Sequence, residues 1–266
     1  RSKCLLEKSV LTFFFIFTRK IFNVILPLVT RKKHLHPKEL IFIMSHIFKK
    51  LKTLMHTYSH AWVLLYAFIY FPWFTYLERH VTDNYFVIHS IFDDYIPFCE
   101  YFIIPYLLWF AYIAVTLGYL FFNDKQGFYK ASAIMFSGMT IFLIICTVFP
   151  NGLNLRPEVF TRDNFCIELV KRIYQTDTPT NVLPSLHVYN SICCYIAISH
   201  CEKLQHSRLI QKGSLVLSIL IILSTMFLKQ HSVVDVVAAC VMAYFMYSLI
   251  YAQEGAKSPR LARQGI

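Results

Sequence analysis

The sequence predicts an all-α fold, a polytopic bundle of about six transmembrane helices. Of the 266 residues, 56% are hydrophobic and only 15% are charged. A soluble domain of this length needs more charge to cover its surface. The apolar residues also fall into long runs separated by short polar segments, and the basic residues collect in those segments. Because only helices and closed barrels satisfy backbone groups in lipid, we expect the runs to be helices.

Six apolar runs approach the roughly 20 residues that a helix needs to cross a bilayer. They are His60–Leu77, Tyr101–Phe122, Ala131–Phe149, Ser185–Cys201, Ser214–Leu228 and Ser232–Tyr251. The fourth and fifth runs are short, and we expect their helices to extend into the flanking polar residues. The predicted domains are a basic N-terminal extension (1–43), a six-helix membrane domain (44–252) and a cytoplasmic tail (253–266).

The N-terminal extension fits the membrane domain poorly. Its apolar runs, Val10–Phe17 and Ile21–Val29, are too short to span a bilayer. Met44 stands just before a basic cluster and the first good span, so we expect the fold to begin near Met44. Residues 1–43 are then either an interfacial helix or translated sequence with no role in the fold.

The charge of +11 is interpreted as a topology signal rather than as a nucleic-acid interface. Basic residues cluster in three places: Lys49, Lys50 and Lys52; Lys125 and Lys130; Lys203, Arg208 and Lys212. By the positive-inside rule, both termini are cytoplasmic and the 150–184 loop lies outside, with the plasma membrane as the expected location. The expected partners are membrane lipids and not nucleic acid, and the oligomeric state is not indicated.

Three segments place reactive polar residues at the borders of apolar helices. They are Leu155–Pro157, Pro184–His187 and Ser224–Asp235. The topology derived from charge alone puts all three at the outer end of the bundle. This common location favours a functional site over three unrelated features.

Each segment taken singly also has a purely structural explanation. Ser185 can cap a helix, and Arg156 can contact lipid headgroups. His231 and Asp235 are one helical turn apart and can form a satisfied polar pair. The functional interpretation therefore depends on the three segments together.

Together the segments resemble the motifs of the type 2 phosphatidic acid phosphatase superfamily of lipid phosphatases and phosphotransferases. That family's pattern is Lys-x6-Arg-Pro, then Pro-Ser-Gly-His, then Ser-Arg-x5-His-x3-Asp. The matching residues are Arg156-Pro157, Pro184-Ser185 with His187, and Ser224, His231 and Asp235. The resemblance covers roughly residues 50–250. It implies a six-helix bundle with an outward-facing site and no metal or other cofactor.

The chain departs from the family pattern at three positions. Phe149 stands where the first motif has Lys, Leu186 where the second has Gly, and Thr225 where the third has Arg. Lys229 lies four residues after Thr225, so on a continuous helix the two share a face. We predict that Lys229 supplies the missing cation. The Pro-Ser-Leu-His form is also similar to inositol phosphorylceramide synthases, which transfer a phospho-headgroup to an alcohol.

The matching residues suit phosphoryl transfer from a lipid phosphate through a phosphohistidine. His231 is the predicted nucleophile, and Asp235 would orient its imidazole. His187 would protonate the departing alkoxide and then activate water or an alcohol.

Three further residues are predicted to bind the substrate. Arg156 would hold two phosphate oxygens in its planar fork, Lys229 would act as a point charge, and Ser185 would donate a hydrogen bond. His187, His231 and Asp235 could instead bind a metal, but the two cations would repel it. A metal-independent site is therefore expected.

The expected activity is hydrolysis of a lipid phosphate monoester or pyrophosphate. A phosphotransferase that uses a lipid alcohol as acceptor is the first alternative. A catalytically inactive membrane scaffold or a transporter is the second. Retention of both histidines and the aspartate argues against the second alternative, because a scaffold does not need them.

Overall fold

The computed structural model describes residues 45, 46, 48–50, 52, 53, 55–82 and 84–251. The chain forms two compact units, residues 1–65 and 66–266. In the first unit the described residues are helical from 45 to 57, and a 3-10 helix, Ser59–Tyr66, begins there. The predicted extension (1–43) and tail (253–266) lie outside the described residues.

The described part of the second unit consists of helices and two very short strands, which confirms the all-α fold class. In chain order they are α1 (Ala67–His80), β1 (Phe86–Val87), α2 (Ile91–Tyr95), α3 (Ile103–Asn123), α4 (Lys125–Val148), β2 (Asn151–Gly152), α5 (Phe165–Thr176), α6 (Leu186–His200), α7 (Arg208–Phe227) and α8 (Val233–Ile250). A 3-10 turn, Glu100–Phe102, leads directly into α3.

Four helices in the described part of the chain are long and apolar enough to cross a membrane. They are α3 with its preceding turn, α4, α7 and α8. The predicted span Ser214–Leu228 extends at its start to Arg208, as expected. The span predicted at Ser185–Cys201 does not extend, since α6 has only 15 residues. The first predicted span is a 3-10 helix followed by the 14-residue α1, so the count of six is not confirmed.

Helix α6 lies at the centre of the bundle, where it packs against α3, α4, α7 and α8. Its side chains Val188, Tyr189, Cys193 and Cys194 are fully buried. A helix of 15 residues is about 22 Å long, shorter than the roughly 30 Å hydrocarbon core. Because α6 is surrounded by protein, its length is set by packing with its neighbours rather than by contact with lipid.

Close packing and hydrogen bonds fix α6 against α4 and α7. The Tyr189 hydroxyl donates to the carbonyl of Ile134 at 2.6 Å. Gly138 lies beneath the Tyr189 ring, and a Cβ there would overlap it. On another side, the Ser218 hydroxyl donates to the carbonyl of Ser191 at 3.1 Å. Interhelical hydrogen bonds and small residues of this kind stabilise helix contacts in membranes.

The loops that follow α1 and α4 meet at one end of the bundle, which we call the motif end. Strands β1 and β2 pair in parallel there, with Phe86 opposite Asn151 and Val87 opposite Gly152. A single antiparallel bridge then joins Gly152 to Thr180, just before α6. The two loops and the approach to α6 are therefore tied together.

Asn151 is the centre of this connection and is fully buried. Its side-chain oxygen accepts hydrogen bonds from the backbone N–H groups of Val182 and Leu183, both at 2.9 Å. Its amide nitrogen donates to the carbonyl of Phe149 at 2.7 Å. The backbone just before Pro184 is thus fixed to the end of α4.

Candidate active site

His231 and Asp235 form a buried pair at the start of α8. His231 Nδ1 lies 3.4 Å from Asp235 Oδ2. The same carboxylate oxygen accepts the N–H of Ser232 at 2.9 Å, and Ser232 is the N-cap of α8. Asp235 Oδ1 is buried and has no hydrogen-bond partner among the described residues. Asp235 therefore both caps its helix and faces the imidazole.

His187 lies in the first turn of α6, after the N-cap Ser185. Its ring packs between Tyr106 and Trp109 of α3, with centroid distances of 4.5 and 4.2 Å. The His187 and His231 rings are 5.7 Å apart between centroids. His187 Nε2 is buried without a hydrogen-bond partner in the described part of the chain. The two imidazoles are thus close, and one of them presents an unused nitrogen.

The second and third motifs are also joined through their backbones. The Ser185 N–H donates to the carbonyl of Asp235 at 3.2 Å. The Ser185 hydroxyl accepts from the N–H of Val188 at 3.4 Å, which is the cap predicted for it as the structural alternative. The N-termini of α6 and α8, the positive ends of their dipoles, therefore meet at this point.

Arg156 reaches the same place from the loop after α4. Its guanidinium donates to the carbonyls of Tyr174 and Asp177 at 3.1 and 2.9 Å. It also donates to the side-chain oxygen of Gln230, the residue before His231. The guanidinium carbon lies 4.5 Å from the centre of the Tyr174 ring. All three predicted segments are therefore in contact at the motif end.

A hydrogen-bonded group of Tyr106, Asp177 and Gln230 borders the two histidines. The Tyr106 hydroxyl donates to Asp177 Oδ2 at 3.0 Å, and Gln230 Nε2 donates to the Tyr106 oxygen at 3.5 Å. Burial raises the pKa of the Asp177 carboxyl above its ordinary value, and the nearby Arg156 guanidinium opposes that shift. None of these three residues is among those predicted from the sequence to form the site.

Helix α5 forms one side of the site. It lies in the segment 150–184, which was predicted to be a loop. Asn164 caps it by accepting the N–H of Ile167, and Val170 is fully buried. Val170 packs with Ile103 and Tyr106 of α3 and with Leu228, the residue after α7, and Tyr174 supplies a carbonyl to Arg156. An N-capping Asn followed by apolar residues three and four apart was the available signal.

Thr225 and Lys229 do not lie on one continuous helix, so the expectation that they share a helix face is wrong. Helix α7 ends at Phe227, and Lys229 has a left-handed backbone with φ of 52°. Its ammonium donates to the carbonyl of Asp93 at 2.7 Å, and burial lowers the pKa of Lys229. The hydroxyl of Thr225 donates to the carbonyl of Ile222 in its own helix. Lys229 nevertheless lies two residues from His231, and its role in substrate binding stays a prediction.

Phe149 stands at the position of the absent first-motif lysine. It is the C-cap of α4, and its ring lies 5.4 Å from that of Phe86. No basic group is therefore provided at that position. Among the described residues, no group of three or more His, Cys, Asp or Glu is arranged to hold a metal ion.

Residues 131–259 match the model of the PAP2 superfamily. The matched range contains all six predicted site residues: Arg156, Ser185, His187, Lys229, His231 and Asp235. No curated protein and no solved structure matches the chain. The PAP2 match and the apolar helices indicate an integral membrane protein, and the PAP2 superfamily is generally of the phosphatase type. The comparisons do not show the similarity to inositol phosphorylceramide synthases.

Proposed function

We propose that the chain is an integral-membrane lipid phosphatase that hydrolyses a lipid phosphate monoester or pyrophosphate through a phosphohistidine on His231. One observation carries this proposal. Two imidazoles on different segments lie 5.7 Å apart, one beside a buried carboxylate and the other with a free, buried nitrogen within the described structure. A nucleophile and a separate acid–base group require such an arrangement.

Binding of the phosphate begins at Arg156. Three of the five N–H donors of a guanidinium are engaged by the described residues, which leaves the Nε–H and one Nη1–H for phosphate oxygens. The N-termini of α6 and α8 add partial positive charge. Lys229 supplies a further cation, and the Ser185 hydroxyl supplies a donor. The role of Lys229 is tested by measuring turnover of Lys229→Ala. Unchanged turnover would show that Lys229 does not bind the phosphate.

The chemistry follows in two displacements at phosphorus. His231 Nε2 attacks phosphorus while its Nδ1 faces Asp235, and the phosphorus–oxygen bond to the lipid breaks. The departing alkoxide takes a proton from His187, whose ring lies between those of Tyr106 and Trp109. Neutral His187 then accepts a proton from water, which attacks phosphorus and breaks the phosphorus–nitrogen bond. Inorganic phosphate leaves and His231 is restored.

The test is phosphate release from a panel of lipid phosphates in detergent with EDTA present. His231→Ala is compared with wild type and with His80→Ala, an exposed histidine on α1 that matches no motif. We expect release to survive EDTA, to be lost in His231→Ala and to persist in His80→Ala.

Three other results would contradict part of this proposal or favour the phosphotransferase. Release that persists in His231→Ala excludes the phosphohistidine, and release that EDTA removes excludes a metal-independent reaction. Turnover that depends on an added lipid alcohol identifies a phosphotransferase. Its product would carry the phospho-headgroup, which mass spectrometry detects.

A further inference from the structure

Asp93 is a buried carboxylate at the motif end that has no place in the steps above. It belongs to α2, between the first and second predicted spans, and only 2% of its surface is exposed. A carboxylate in this position needs hydrogen-bond donors, because burial of an unpaired charge is costly. The groups that donate hydrogen bonds to Asp93 show which part of the site this residue holds in place.

Most of these donors come from the start of α8. Asp93 Oδ2 accepts the Ser232 hydroxyl at 2.6 Å, across 139 residues of sequence. Asp93 Oδ1 accepts the N–H of Val233 at 2.8 Å. Within its own helix, Oδ2 also accepts the N–H of Ser90 at 2.8 Å. The carboxylate therefore joins α2 to the two residues that follow His231.

The backbone of Asp93 holds the segment on the other side of His231. Its carbonyl accepts the Lys229 ammonium at 2.7 Å. Residues 229, 232 and 233 are thus all bonded to one aspartate, with His231 between them. The position of the imidazole is fixed from both sides by contacts outside its own helix.

These contacts also affect Asp235. Its Oδ2 atom is shared between the Ser232 N–H at 2.9 Å and His231 Nδ1 at 3.4 Å. Asp93 satisfies the Ser232 hydroxyl and the Val233 N–H, so neither needs the Asp235 carboxylate. Without Asp93, those two donors would compete for Asp235 and draw it away from His231.

We propose that Asp93 is a positioning residue for the site, which holds Ser232, Val233 and Lys229 so that His231 and Asp235 keep their alignment. The effect on turnover rests on the proposed function, whereas the effect on His231 geometry does not. Asp93 touches neither the substrate nor the reacting atoms in this scheme. Displacement of a reacting group by about 1 Å can cost on the order of 100-fold in rate.

The chain offers a matched control in the next residue. Asp94 carries the same charge, but 63% of its side chain is exposed and it pairs with His89 at 2.9 Å. Asp94→Asn removes one negative charge beside Lys229, as Asp93→Asn does. A difference between the two variants therefore reports the hydrogen bonds of Asp93 and not the net charge of the loop.

The experiment compares wild type, Asp93→Asn, Asp94→Asn and Ser232→Ala by two measurements. The first is kcat and KM for phosphate release. The second is the rate of His231 carbethoxylation by diethyl pyrocarbonate, mapped by mass spectrometry with His187 as the internal reference. For Asp93→Asn we expect kcat to fall about 10- to 100-fold, KM to change by less than about threefold, and His231 to react faster relative to His187. Asp94→Asn should match wild type.

Each outcome decides the proposal. Equal behaviour of Asp93→Asn and Asp94→Asn overturns it, as does a loss of kcat without a change in His231 reactivity. If Asp93→Asn does not fold, Ser232→Ala replaces it, because it removes one Asp93 bond and leaves the carboxylate. If wild type releases no phosphate from any lipid, the proposed function fails, and the carbethoxylation rates still decide whether Asp93 positions His231.

Discussion

The interior around α6 and the motif end are held together in different ways. In the interior, Tyr189 packs over Gly138 of the neighbouring helix α4, and the contact depends on shape. At the motif end, Arg156 bonds Gln230 across 74 residues and Asp93 bonds Ser232 across 139. The interior depends on close packing supplemented by a few hydrogen bonds to backbone carbonyls. The motif end depends on donors and acceptors brought from distant parts of the chain.

The difference indicates where substitutions act. A change of volume in the interior should lower stability and leave the chemistry of the folded molecules intact. A change of a donor at the motif end should lower turnover more than stability, because charged and polar groups there are aimed at one small region. Two variants test this division, and a third tests the charge of a buried acceptor at the motif end, from the largest expected effect to the smallest.

Arg156→Lys should have the largest effect, on turnover. Lysine keeps the charge but lacks the planar fork, so it cannot bond both loop carbonyls and a phosphate. We expect kcat/KM to fall roughly 100-fold, the loss typical of one transition-state donor. Arg172→Lys, on the exposed face of α5, is the matched control and should keep full turnover. Arg156→Lys with near wild-type turnover would show that Arg156 is a structural residue only.

Gly138→Ala should act on stability alone. The added methyl group overlaps the Tyr189 ring, and overpacking of this kind costs about 1–3 kcal/mol. We expect a lower melting temperature in detergent and unchanged turnover per folded molecule. Gly213→Ala is the control, because a Cβ there meets no atom within 4 Å. Equal melting temperatures for the two variants would show that the contact between Gly138 and the Tyr189 ring does not contribute to stability.

Asp177→Asn should have the smallest effect, and it should depend on pH. Burial raises the pKa of the Asp177 carboxyl, so the folded chain binds this proton more tightly than the unfolded chain does. In the wild type, this carboxyl makes its full contribution to the free energy of unfolding when the pH is below its unfolded pKa of about 3.9. That contribution is lost as the pH rises through the higher pKa of the folded state. Asp177→Asn carries no such carboxyl, so its melting temperature should rise relative to that of wild type as the pH is raised above about 4.

Melting curves at several pH values measure this difference, with the exposed Asp163→Asn as control. A difference between Asp177→Asn and wild type that stays constant with pH would mean that the Asp177 carboxyl does not change its charge in this range.

The sequence predicted those parts of the fold that depend on local pattern. The apolar runs predicted α3, α4, α6, α7 and α8 to within six residues at each end. The charge distribution also correctly predicted that the three motif segments would meet at one end. Both predictions rest on properties that each segment carries by itself.

The predictions that failed depended on tertiary contacts. Nothing local ends α7 at Phe227 or gives Lys229 a left-handed backbone, because no glycine stands there. Asp177 was missed because its backbone carbonyl, rather than its side chain, binds Arg156. Asp93 matches no motif, and its bonds to Ser232 and Val233 join residues that are far apart in the sequence, so the sequence alone does not indicate its role.

The enclosure of α6 has a consequence for hydrophobic mismatch with the bilayer. Helices that contact lipid adjust to a thinner or thicker membrane by tilting. Helix α6 carries His187 in its first turn and is surrounded by four other helices. A change in acyl-chain length therefore reaches His187 only through those neighbours, and the depth of this imidazole is set by the protein more than by the membrane around it.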